Sequence, residues 1–145
     1  MIQRIQSLWL LLAAVAAFLS LTLPFFTMPG VTITDGTNSG GPTVTDYTGS
    51  ENIPILLLTI VTGLLSFVTI FLYKNRKLQQ RLTVVALLLS VGIIAMYFLE
   101  MRKWPNARIS LFCVVSIITP ALLFLASRGI YNDSRLIKSA DRLRP

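Results

Sequence analysis

Four long stretches without a charged side chain constrain this chain more than any other feature of its sequence. They cover residues 8–26, 53–73, 82–99 and 109–127, and none of them contains Asp, Glu, Lys or Arg. A helix needs about 20 mostly apolar residues to cross the hydrocarbon core of a bilayer. Lipid offers no partner for an unpaired backbone group, and four segments are too few to close a barrel. The sequence therefore predicts four membrane-spanning helices.

Composition supports a membrane protein and a single domain. Charged residues make up 13% of the 145-residue chain, whereas soluble domains carry about 25%. A chain of this length suffices for one ordinary domain, which we take to be residues 1–145. The first stretch could be read as a signal peptide, with Arg4 ahead of it and the small residues Ala16 and Ala17 inside it. Because the apolar run continues to Phe26, we interpret it as a retained span.

The distribution of positive charge predicts the orientation of the spans. Of the 13 Lys and Arg residues, all but Arg102, Lys103 and Arg108 lie before the first span, between the second and third, or after the fourth. Lys and Arg near span ends accumulate on the cytoplasmic side of a membrane. We therefore expect both termini in the cytoplasm, although the second outer loop, residues 100–108, is itself basic.

Short connections predict how the spans are arranged. Residues 74–81 and 100–108 are too short to let consecutive spans separate, so spans two, three and four should be antiparallel neighbours. The predicted fold is an all-α membrane protein with four transmembrane helices in an up-down bundle. Aromatic residues near the span ends are expected at the level of the lipid headgroups; they are Trp9, Tyr73, Tyr97 and Trp104.

Small residues recur four positions apart in three of the spans. Such pairs let helix backbones approach closely, either within one bundle or between two copies of the chain. The pairs are Ala13 with Ala17, Thr59 with Gly63, and Ala86 with Ser90.

The outer loop, residues 27–52, has the pattern of a β-hairpin. Residues 31–34 and 43–47 alternate between apolar and polar side chains, and turn-forming residues occupy 35–42 between them. Because an isolated hairpin is marginal in water, it should either pack on the span ends or pair with a partner. A disordered loop is the third alternative.

The cytoplasmic tail, residues 128–145, predicts a short amphipathic C-terminal helix. Asn132 or Asp133 could cap a helix from Ser134 to about Leu143. A short basic amphipathic helix is typical of a segment that lies on an anionic membrane surface. It could instead dock a cytoplasmic partner. Basic residues without interleaved aromatic residues do not favour nucleic acid.

The candidate contacts with anionic lipid headgroups or with a partner protein are the basic residues on the predicted cytoplasmic side. They are Arg4, Lys74, Arg76, Lys77, Arg81, Arg135, Lys138, Arg142 and Arg144.

Nothing in the sequence predicts catalysis, a cofactor or a metal site. The chain has no histidine, which is the commonest metal ligand and general base. Its single cysteine, Cys113, lies in the fourth span, where an apolar environment makes a thiol inert. No Asp, Glu, Lys, Arg or His lies within a span, and charged residues inside spans mark the ion pathways of coupled transporters. We therefore expect neither an enzyme nor a self-contained coupled transporter.

Three segments resemble a known family. The chain opens with Met-Ile-Gln-Arg-Ile-Gln at 1–6 and Leu-Leu-Leu-Ala-Ala at 10–14, has Lys-Asn-Arg-Lys-Leu-Gln at 74–79, and has Ser-Ala-Asp-Arg-Leu-Arg at 139–144. In this order they resemble small Bacteroidota membrane proteins catalogued as domain of unknown function (DUF) family 4293. The likeness covers the chain apart from the outer loop. It implies a four-helix inner-membrane protein of a Gram-negative bacterium. It does not indicate an activity, because the family has no assigned one.

The function expected from these features is that of an interaction protein. Uniformly apolar spans, short loops and a basic cytoplasmic face fit an accessory subunit or assembly factor of a larger membrane protein complex. The alternative is a free-standing protein, or a homodimer, that binds lipid or a small solute.

Overall fold

The computed structural model describes the backbone of residues 2–29, 44–72 and 75–142, and side chains within 5–28, 45–72, 75–133 and at 135. This part of the chain is mostly helical and includes a small sheet. All four helices are long and apolar enough to cross a membrane. In chain order, the elements are α1 (Ile2–Thr22), β1 (Pro24–Pro29), β2 (Val44–Thr48), α2 (Ile53–Phe71), α3 (Arg76–Met101), β3 (Arg108–Ile109) and α4 (Cys113–Arg142).

The first span ends earlier than the apolar run predicts. Helix α1 stops at Thr22, so residues 24–26 belong to strand β1 and the predicted boundary at Phe26 is wrong. The Leu23 N–H still donates to the Leu19 carbonyl, at 3.1 Å. Pro24 has no N–H to continue the ladder, and its ring disfavours helical geometry at the preceding residue. Hydrophobicity extends past this point, but the helix does not.

Helices α2 and α3 follow their predicted spans more closely. Helix α2 begins at Ile53 as predicted and ends at Phe71; Tyr73, the predicted end, lies outside the described residues. Helix α3 begins at Arg76, well before the predicted start at residue 82. The basic residues Lys77 and Arg81 are therefore part of a helix and not of a connecting loop.

The fourth span also begins later than predicted. Residues 108–109 form the short strand β3, and α4 begins at Cys113 instead of residue 109. The Ser110 N–H donates to the Phe25 carbonyl, at 3.1 Å, which extends the pairing of β3 with β1. Asn106, with φ of 71°, turns the chain into this strand; Asn is one of the few residues that adopt this left-handed conformation readily.

Where a two-stranded hairpin was predicted, the structure has a three-stranded antiparallel sheet in the order β2-β1-β3. Its second strand lies at 44–48, close to the predicted 43–47. The strand that pairs with it is Pro24–Pro29, whereas the predicted first strand, 31–34, lies outside the described residues. Strand β1 contacts α1 and α4. Of the alternatives considered, packing on the helix ends is the one that the structure shows.

The helices contact one another in a closed order, since α1 and α3 each pack against both α2 and α4. We call the four helices the helical body. At one end, the Gln6 side chain bonds the Gly129 carbonyl and Arg76 pairs with Asp133; we call this the basic end. The opposite end carries β1, β2 and β3, and we call it the sheet end.

The small residues predicted at helix contacts are buried. Ala13, Ala17 and Ala86 lie inside the helical body, as do Thr59 and Ser90. At Gly63 a Cβ atom would lie 2.9 Å from the ring of Phe18, so a side chain there would displace this ring. The within-chain interpretation of these pairs is therefore confirmed.

The prediction of a separate C-terminal helix is wrong. Helix α4 runs without interruption from Cys113 to Arg142 and includes Asn132 and Asp133, the residues proposed as its cap. Gly129 does not break it, because the Gln6 side chain packs against this glycine and donates a 2.9 Å hydrogen bond to its carbonyl. Tertiary contact thus offsets the low helix propensity of glycine.

Candidate functional site

Buried aromatic rings join the sheet to the helical body at the sheet end. Phe25 stacks on Tyr97 with ring centroids 4.2 Å apart, and Phe26 stacks on Tyr47 at 4.5 Å. Phe25, Phe26 and Tyr97 are each at most 2% exposed. The expected position of Tyr97 at the level of the lipid headgroups stays a prediction; the structure shows that Phe25 of strand β1 covers its ring.

Polar groups at the sheet end meet beside these rings. The Asn52 Nδ2 donates to Glu100 Oε1 at 3.0 Å, and the Lys103 ammonium lies 2.8 Å from the same oxygen. Burial raises the pKa of Tyr47, and the neighbouring Asn52 side chain opposes this shift. Among the described side chains, Asn52 Oδ1 and the Tyr97 hydroxyl are buried without a hydrogen-bond partner. Such groups carry a desolvation cost of about 1–3 kcal/mol.

Gly49 makes this packing possible. It lies in the turn between β2 and α2, directly over the Tyr97 hydroxyl. A Cβ at this position would overlap the Tyr97 oxygen, and the Ser20 carbonyl lies 3.6 Å from the same point. The turn therefore needs a residue without a side chain.

A small cavity lined mainly by serine and threonine residues lies inside the helical body near the sheet end. The space open to a water-sized molecule is about 10 Å³, which is about the volume that one water occupies. Most of the hydroxyls donate to carbonyls of their own helices; for example, the Thr59 hydroxyl bonds the Ile55 carbonyl at 2.7 Å and the Ser90 hydroxyl bonds the Leu87 carbonyl at 2.7 Å. The lining residues are Ala17, Ser20, Thr59, Thr62, Ser90, Ile93, Ser116 and Thr119.

Three of the predicted contact residues come together in one groove at the basic end. Arg76, Lys77 and Arg81 line an open groove of about 450 Å³ with Asn75 and Leu78. The first turn of α3 contains no acidic residue. The structure therefore concentrates the positive charge of the predicted loop on one helix end.

Of the remaining predicted contact residues, only Arg135 has a described side chain, and it does not line this groove. Arg135 is exposed on α4, beyond Asp133. Arg4 belongs to α1, and Lys138 and Arg142 belong to α4, where the backbone alone is described. Lys74 and Arg144 lie outside the described residues.

Two contacts at the basic end were missed by the sequence analysis. Asp133, interpreted there as a helix cap, pairs with Arg76, and Gln6 bonds Gly129 across the helical body. These partners are separated by 57 and 123 residues. Sequence patterns relate residues that are close along the chain, so they gave no signal for these two contacts.

The described residues contain no cluster of three or more His, Cys, Asp and Glu side chains that could hold a metal ion. Cys113 is buried in the aromatic cluster of the sheet end, together with Phe25 and Tyr97.

The fold and its surface define the class of protein. Four helices that are long and apolar enough to cross a membrane, capped by a small sheet, indicate a multi-pass membrane protein. The chain belongs to the family described as domain of unknown function (DUF4293), whose model matches residues 2–143. The family inferred from the three sequence segments is thus confirmed. Searches of curated proteins and of solved structures gave no match.

Proposed function

We propose that this protein is a non-catalytic integral membrane protein that serves as an accessory subunit or assembly factor of a larger membrane protein complex. The continuity of α4 carries this proposal. The helix runs past the Arg76–Asp133 ion pair to Arg142, and residues 134–142 add about 13 Å of helix at 1.5 Å per residue. A helix that continues a membrane-spanning one follows its axis, so it suits contact with a second protein better than a flat position on lipid.

The outer surface of the helical body supports a position within a membrane. Large apolar side chains are exposed on every helix, including Leu8, Leu57, Leu88 and Phe124, each more than half exposed. In water such surface would favour aggregation, whereas lipid or another membrane helix would cover it. We propose that the helices cross a cytoplasmic membrane as an up-down bundle. The charge distribution would place the basic end, with both termini, in the cytoplasm.

The interior of the helical body favours an interaction role over binding of a solute there. The small cavity between the serine and threonine residues has room for about one water. A larger solute would have to separate helices whose contacts are made by buried small residues such as Ala13, Ala17 and Ala86.

Native purification tests the subunit proposal. The full chain, tagged at Ser39 so that both termini stay free, is extracted in mild detergent, and its companions are identified by mass spectrometry and their stoichiometry. We expect a defined larger complex. A chain truncated after Asp133 should keep its fold by circular dichroism and lose the companions. Recovery of the full chain alone or as a homodimer would contradict the subunit role.

Cysteine labelling tests the orientation. In a Cys113→Ala background, Ser39→Cys should react with a membrane-impermeant maleimide in intact spheroplasts, because the outer loop faces outward. Ser139→Cys should react only after the membrane is permeabilised. The opposite pattern would show that the basic end faces outward.

A further inference from the structure

The groove at the start of α3 combines the features of an anion site. Arg76, Lys77 and Arg81 all line it. Within the described part of the chain, the acid that approaches the groove is Asp133, which is paired with Arg76. Lys77 and Arg81 form no ion pair with any described side chain.

The positions of these charges are unfavourable unless an anion is present. The N-terminal end of a helix carries a partial positive charge, so basic residues in the first turn weaken it. Like charges four residues apart on a helix also repel each other, and Lys77 and Arg81 have this spacing. Both are exposed, so burial does not explain them. Local violations of this kind concentrate at functional sites.

An apolar side chain shares the groove. Leu78 is 44% exposed and lines the groove together with the three cations. From Leu82 onward, α3 continues as an apolar segment to Leu99. The groove therefore lies where the charged end of α3 meets the part of the helix that lipid would surround.

From this combination we propose that the groove is a binding site for a phosphate group. Lys77 and Arg81 would bind the phosphate oxygens directly. Arg76 would donate N–H groups that Asp133 does not use, since a guanidinium has five donors in a rigid fork and Asp133 accepts from Nη1. The ion pair holds the Arg76 side chain at the groove and so positions it. The phosphate comes from a lipid headgroup or from solution.

This site is independent of the proposed subunit role. A phosphate can occupy the groove whether or not a second protein contacts the end of α4. The competing explanation is that the basic residues act only through their total charge, which orients the chain in the membrane. The two explanations differ in whether the positions of the charges matter.

Binding measurements on the purified full chain distinguish a phosphate site from an effect of total charge. The chain is placed in a neutral, phosphate-free detergent, and binding of phosphatidylglycerol is titrated and counted by native mass spectrometry. Inorganic phosphate is titrated in a parallel arm. The double variant Lys77→Gln with Arg81→Gln removes two groove charges. The matched control, Arg128→Gln with Arg135→Gln, removes two exposed charges from the same end of the body outside the groove.

We expect the groove variant to weaken the affinity for phosphatidylglycerol by about tenfold or more, as loss of charged hydrogen bonds does. The control should change it by less than about twofold, because exposed charges outside the site contribute little. Competition by inorganic phosphate would show that the site takes phosphate from either source, and its absence would assign the site to lipid. Equal weakening in both variants, or no weakening in either, would overturn the proposal.

Discussion

At the sheet end, charged and polar side chains pair with one another, whereas at the basic end Lys77 and Arg81 have no acidic partner among the described residues. Asn52 and Lys103 both bind Glu100 at the sheet end, where Phe25 also stacks on Tyr97. At the basic end, one ion pair joins Arg76 to Asp133, and Lys77 and Arg81 lie exposed beside it. The contrast is the basis of our proposal that the basic end, unlike the sheet end, binds an external anion.

The largest expected effect lies in the aromatic core of the sheet end. Phe25→Ala should lower the free energy of unfolding by about 3–5 kcal/mol, because it removes a fully buried ring and leaves a cavity. Unfolding by SDS titration in mixed micelles measures the change. Phe124→Ala makes the same substitution at a side chain that is 58% exposed and should cost less than about 1 kcal/mol. Similar losses in both variants would contradict a stabilising role for this core.

The second prediction concerns the fit between Gly49 and Tyr97. Gly49→Ala should cost about 1–3 kcal/mol, the usual penalty for overpacking a filled site, since its Cβ would overlap the Tyr97 hydroxyl. Gly92→Ala is the control because, apart from its chain neighbours and the backbone of its own helix, no atom lies within 4 Å of its Cβ position. It should be neutral or stabilise α3 by up to about 1 kcal/mol.

Tyr97→Phe should rescue Gly49→Ala, because it removes the overlapping oxygen. Alone, it should be neutral or slightly stabilising, since the hydroxyl has no partner among the described residues. The double-mutant cycle should give a coupling energy of about 0.5–3 kcal/mol. Additive effects would mean that the two residues do not touch.

The third prediction tests the ion pair at the basic end. Asp133→Asn should lower stability by about 0.5–1 kcal/mol, since the pair is partly exposed, with 27% of the Arg76 side chain and 13% of the Asp133 side chain accessible. The loss should shrink in high salt, which screens the wild-type pair. Asp46→Asn, at an exposed site in β2, should change stability by less than about 0.5 kcal/mol. An effect of Asp133→Asn that is equally large in high salt would contradict an electrostatic origin.

The smallest expected effect is a pH dependence at the sheet end. Burial raises the pKa of Tyr47 above its ordinary value of 10.0. The unfolded chain therefore loses this proton first as pH rises, and stability falls above about pH 10. Tyr47→Phe should lessen the decline, measured as the SDS midpoint between pH 9 and 11. An unchanged slope in this variant would mean that other groups cause the decline.

Much of the fold could be predicted from local patterns. Absence of charge over helix-length stretches identified the four helices, because the requirement holds within each segment separately. The start of α2 at Ile53 and the strand near residues 44–48 were also predicted closely. The groove residues Arg76, Lys77 and Arg81 were identified as candidates from their charge alone.

The boundaries near Pro24 and Cys113 were not predicted, because apolar residues serve a span and a buried strand equally well. Phe25 and Phe26 look like the end of a span in the sequence. They form part of β1 because β2 and β3 provide hydrogen-bond partners on both sides.

The sequence by itself determined the four apolar helices, the concentration of charge at one end and the family to which the chain belongs. These properties depend on residue type and spacing along the chain. Only the tertiary structure decided that α4 continues unbroken past Gly129, that Tyr97 lies beneath β1, and that Asp133 pairs with Arg76. Each of these depends on partners distant in sequence, which come together only when the helices pack.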